Sequence, residues 1–73
     1  MNLAAQKAAY EAELEKCEEE LAELERGDLR ASYEDSTGNL VDVTDKRIAE
    51  LKHKIKTFRT FVLAIEANAF SRN

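Results

Sequence analysis

No proline interrupts this chain, and glycine occurs only at Gly27 and Gly38. Both residues break or loosen helices, so their scarcity excludes a loop-rich or fibrous architecture and favours long helices. The single cysteine, Cys17, excludes an intramolecular disulfide framework, and a reducing, intracellular setting is expected. The single histidine, His53, cannot assemble a metal-ligand set with that one thiol. No glycine-rich phosphate loop is present. The richest apolar run, "FVLAIEANAF" (61–70), contains Glu66 and is far too short to cross a bilayer. The amino-terminal stretch "MNLAAQKAAYEAELEK" has no signal-peptide apolar centre and turns acidic at once, so a soluble, cytoplasmic chain is expected.

What the chain has in plenty is charge, on 36% of its 73 residues. That length makes one small domain, 1–73, with a modest core and stability that partners can supplement. The net charge of −4 is unevenly spread. Residues 1–35 carry four Lys and Arg against eleven Asp and Glu, a balance of −7, whereas residues 36–73 carry seven against four, a balance of +3. Such a dipolar chain pairs its halves internally or docks each half on an opposite neighbour. It lacks the uniform basic field of a nucleic-acid binder.

The pattern predicts a helix over about 3–26, where Ala, Leu, Glu and Lys dominate and Tyr10, Leu14, Cys17, Leu21 and Leu24 recur at steps of three and four. Lys7 interrupts that register near the end, where its methylene stem can lie on apolar surface. Gly27 marks the stop. A second helix is expected over about 45–70, with Thr44 or Asp45 as N-cap and Val43 stapled to Ile48. Its seam of Ile48, Leu51, Ile55, Phe58, Val62, Ile65 and Ala69 is as regular as a short coiled coil.

Between them, over about 29–43, Leu29, Ala31 and Tyr33 alternate with Arg30, Ser32 and Glu34 before the turn residues "DSTGN" and a second short run, "LVDVT". The alternation predicts a β-hairpin, with an irregular loop as the alternative. The expected fold is α+β and mostly α: two long antiparallel helices joined by a short β-hairpin. Matching the helix ends nearest the turn places Leu24 by Ile48, Cys17 by Ile55 and Tyr10 by Val62. Glu18 and Glu20 then fall near Lys54 and Lys52, and Glu13 near Arg59. The hairpin is expected to close the open end of the pair, adding Leu29, Tyr33 or Val43 to its core.

Catalysis has little support. Cys17 occupies a seam position, where a small buried hydrophobe is the expected role, and His53 lies off the seam between two lysines. The carboxylates of the first helix line an exposed face with nothing to desolvate a pair for acid–base work. Lys52, Lys56 and Arg59 share a helical face that suits phosphates, although pairing with the acidic helix explains it as well. The run "YEAELEKCEEELAELE" admits a reading as a DNA mimic. Near the carboxy terminus, Phe61, Leu63 and Phe70 stand off the seam, opposite mostly alanine. Uncovered, they form a docking surface; covered by a folded-back amino terminus, they extend the core.

The order helix, Gly, alternating strand, turn, strand, Thr/Asp and helix across "LAELERGDLRASYEDSTGNLVDVTDKRIAELKHKI" (21–55) resembles the lambda-type head-completion (W protein) family and related short neck adaptors of tailed bacteriophages. In that family an amino-terminal helix leads through a small hairpin into a second, antiparallel helix. This chain departs from it in the length of both helices and in the coiled-coil regularity of the second. The resemblance implies a structural protein of the virion, with no cofactor, bound as a ring beneath the portal to complete the DNA-filled head and present a platform for the next neck or tail component. Phe61, Leu63 and Phe70 would then contact the portal or a neighbouring copy, and the hairpin around Tyr33 another component. Glu18 and Glu20 of one copy would face Lys52, Lys54 and Arg59 of the next, a heterologous contact. The alternatives are a small inhibitory module acting through Glu11, Glu15 and Glu18, or a coiled-coil oligomerisation module.

Overall fold

The computed structural model describes residues 2–70, and for the last two of these the backbone alone. Helix α1 spans Leu3–Arg26, strand β1 Ser32–Glu34, strand β2 Leu40–Asp42 and helix α2 Thr44–Phe70. The two strands form an antiparallel hairpin between two long helices, the expected α+β architecture.

Each boundary has a local cause. The Asn2 side chain accepts hydrogen bonds from the amides of Ala4 and Ala5, at 3.0 and 3.2 Å, and so satisfies two unpaired donors at the start of α1. At its end Gly27 takes a left-handed φ of 82°. The Asp28 amide then reaches back to the Glu23 carbonyl at 3.0 Å and the Gly27 amide to Leu24 at 3.3 Å, the paired bonds of a Schellman stop.

Helix α2 starts at Thr44, but its capping differs from the expectation. The Val43 carbonyl accepts the first helical bond, from Arg47, so the cap position falls one residue earlier. The carboxylate of Asp42, rather than Thr44 or Asp45, accepts the free Thr44 amide at 2.8 Å. The Thr44 hydroxyl turns to the hairpin instead, where Ala31 offers both an amide and a carbonyl at its mouth.

The core is the seam that the spacing outlines. Leu14, Cys17 and Leu24 of α1 are buried with Leu51, Ile55 and Val62 of α2, and Tyr10, Leu21, Ile48 and Phe58 pack around them. Leu51, 1% exposed, is its most enclosed side chain.

The hairpin does not close the end of the pair as expected; it projects beyond it. A helix of 27 residues is about 40 Å long at 1.5 Å per residue, yet the molecule extends 59 Å along its longest axis. The extra length is a two-stranded tongue. Leu29 and Tyr33 are exposed on it, and Ala31, at its root, is its one residue packed partly against the core. With just five residues between Arg26 and β1, and one between β2 and α2, neither strand can fold back across the helices.

The tongue is stiffened at both ends. Tyr33 pairs with Val41 across it, and Ser32 and Glu34 with Asp42 and Leu40. At the tip, the Gly38 amide bonds the Asp35 carbonyl and the Asp35 amide bonds the Asn39 carbonyl, with Gly38 at φ 84°. This is a three-residue loop closed by a glycine bulge. The Asp35 carboxylate accepts from the Thr37 amide, the Thr37 hydroxyl and the Asn39 amide at 2.6–3.0 Å. At the root, Thr44 is the buried polar side chain: its hydroxyl accepts from the Ala31 amide at 3.1 Å and lies 2.6 Å from Asp42, which Arg30 also bridges.

Candidate docking surfaces

Charge pairs flank the apolar seam on both sides, all within one chain. On one flank Glu13 meets Lys54 at 3.0 Å and Glu20 meets Arg47 at 2.6 Å. On the other, Glu18 meets Arg59 at 3.2 Å and Glu25 meets Lys52 at 3.7 Å. Lys7, the misfit of the seam, reaches Glu66 at 3.4 Å. The residues expected to pair do pair, but with different partners: Glu20 takes Arg47 rather than a lysine, Lys54 takes Glu13, and Arg59 takes Glu18. The reason is geometric. Seam partners lie level with each other, whereas side chains flanking the seam reach diagonally, toward or away from the turn according to their side. Arg47 bonds Glu20 through two nitrogens, which holds the Glu20 carboxyl below the usual range.

The two flanks differ in how well they are filled. Beyond Glu13 and Lys54, an aromatic cluster seals the first. Tyr10 lies 5.6 Å from Phe58 and 5.3 Å from Phe61, ring centre to centre, and Lys54 stands over the Phe58 ring at 5.7 Å. Phe61 is therefore half-covered at 42% exposure, stacked on a tyrosine whose spacing assigns it to the seam alone. Leu63 lies on the opposite flank and is 65% exposed, so it and Phe61 do not share one surface. The side chain of Phe70, the third residue expected there, lies outside the described residues.

The second flank is open. A groove of about 450 Å³ runs along it, floored by Leu21, Ala22 and Ile55, with Lys56, Arg59 and Leu63 on its α2 side. On the outer side of α1, Glu11, Glu15, Glu19 and Glu23 follow one another at steps of four. None makes an ion pair among the described residues.

The tongue offers a third surface. Tyr33 is 54% exposed, and Leu40, which the sequence had not singled out, is 77% exposed on the opposite face. The signal for Leu40 was there: it sits one residue from Val41, so both cannot face the same way in a strand. Asp42, at the tongue's root, has its carboxyl pushed far below the ordinary carboxylate range by Arg30 first and by Thr44 next. Thr37 and the Asn39 amide lower Asp35 at the tip.

Cys17 is buried in the seam and His53 is exposed, well apart from it. Among the described residues, no group of three or more His, Cys, Asp or Glu side chains converges on a point that suits a metal ion. No described helix is long and apolar enough to cross a membrane. No family model, curated protein or solved structure matches this chain.

Proposed function

We propose that this chain is a structural adaptor that docks by its tongue, and that it works at the head–tail junction of a tailed bacteriophage. One observation carries the adaptor reading: a short hairpin stands clear of the helices, is braced at tip and root, and exposes Tyr33 and Leu40 on its two faces. A small chain gains nothing for its own stability by holding two large apolar side chains in water. A partner that covers them does gain, and a stiff tongue loses little entropy when it is gripped. The phage setting rests on the resemblance of residues 21–55 to head-completion proteins, with the portal and the next neck component as partners.

The test is genetic and structural together. In the genome that encodes the chain, Tyr33→Ser with Leu40→Ser is expected to leave helix content and melting nearly unchanged while DNA-filled heads accumulate without tails in electron micrographs. Normal virions from that variant refute the tongue as the docking element. A coding sequence with no portal or tail genes nearby refutes the phage setting, and the adaptor reading is then judged on the tongue alone.

A further inference from the structure

We infer that the open flank is a seat for a second copy of this chain, whose α1 lies along the outer edge of α2. The inference draws its purpose from the adaptor reading, since a row of copies turns one tongue into many, but its geometry stands apart. Each copy carries both halves of the contact. On α2, Lys52, Lys56, Arg59 and Leu63 follow at steps of four, three and four, and all are exposed beside the groove. On α1, Ala12, Glu15, Glu19 and Ala22 follow at steps of three, four and three, in a stripe that runs from the outer side of the helix to the edge of its own groove at Ala22.

Laid antiparallel, one register satisfies both stripes: Glu19 meets Lys56, Glu15 meets Arg59, Ala12 meets Leu63 and Ala22 meets Lys52. Glu15, Glu19 and Lys56, which make no ion pair among the described residues, then find partners in the next copy. The small side chain of Ala12 lets the helices approach closely enough to cover Leu63, and exposed Ala5, Ala8 and Ala9 continue that low surface. The reverse orientation sets Leu63 against Ala22 and leaves this alanine run beside the charged start of α2. The chosen register differs from the in-chain seam by two or three residues, an axial step of about 4 Å. Neighbours therefore stand side by side with their tongues at the same end. Acid on α1 and base on α2 make the contact heterologous, so it continues from copy to copy.

The test uses the whole chain by itself, in sedimentation velocity up to millimolar concentration. The expected result is a mass that grows with concentration at low salt and falls back in moderate salt. Lys56→Glu or Glu19→Lys alone is expected to weaken association about tenfold, because an attraction becomes a repulsion. The two substitutions in one chain should restore it, since each copy then offers the swapped partner to the next. A chain that stays monomeric throughout, or a double variant no better than the singles, overturns the seat. Orientation is read separately by mixing two single-cysteine proteins in a Cys17→Ala background. Ala12→Cys with Leu63→Cys should cross-link, and preferential cross-linking of Ala22→Cys with Leu63→Cys overturns the side-by-side order. Neither result bears on tail attachment by the Tyr33 and Leu40 variant, so the two readings fail independently.

Discussion

Replacing Thr44 with valine removes a single oxygen and keeps the side chain's shape and, nearly, its helix propensity. That oxygen joins the two parts of the molecule, because it accepts the Ala31 amide at 3.1 Å and approaches Asp42 at 2.6 Å from the first residue of α2. In the variant the Ala31 amide stays partly buried under the tongue's root with no partner. A buried donor left unsatisfied costs about 1–3 kcal/mol. Asp42 keeps Arg30 and the Thr44 amide, so its share of the loss is small. A chain of 73 residues has a total stability of roughly 4–11 kcal/mol, so the loss is a sizeable fraction. For a domain of this size it lowers the melting temperature by about 4–8 °C per kcal/mol. Thermal circular dichroism measures the loss, and amide exchange locates it, with faster exchange expected at Ala31 and Val43 before the seam is affected. Thr44→Ser keeps the oxygen and should recover most of the difference. If the valine variant melts with the native chain and Ala31 exchanges no faster, the hydroxyl does not hold the tongue and the reasoning is wrong.

Phe61→Ala should cost about 1–2 kcal/mol in chemical denaturation, since the ring stacks on Tyr10 and Phe58 while part of it remains in water. A cost near zero would return Phe61 to the free surface. Acid should loosen the tongue. The folded-state pKa values of Asp42, Asp35 and Glu20 are all depressed, so their stabilisation is fully present above the unfolded carboxylate range, about 4, and is lost as pH falls from there through their lower folded-state values. Melting followed from neutral pH down to about 2 should fall steeply below about 4. Asp42→Asn should melt lower at neutral pH and show a shallower fall, and a native profile that stays flat in acid would refute the assignment.

The seam was legible in the sequence because burial follows the helical period directly: Leu14, Cys17, Leu24, Leu51, Ile55 and Val62 are all positions that the spacing picks out. Gly27 was legible for a similar reason, since a left-handed stop suits glycine better than any other residue. The partners of Glu20, Lys54 and Arg59 were not legible. Level matching along two helices says how high a side chain sits but not on which side of the seam it stands. Phe61 escaped because a seam residue, Tyr10, is long enough to serve both the seam and its flank. The tongue escaped because strand alternation tells which residues share a face, not whether a helix lies beneath that face. Thr44 had two uses for one oxygen, and the choice fell to an amide thirteen residues earlier, at Ala31, which no local pattern marks.

Cys17 sits halfway along the buried seam, and its thiol meets solvent only when the helices part. The molecule thus carries its own stopwatch. In excess alkylating reagent, the rate at which this one thiol disappears counts how often the hairpin of helices opens, with no probe attached and no competing cysteine to confuse the count. Anything that grips the pair along its length slows the count, whichever surface it grips.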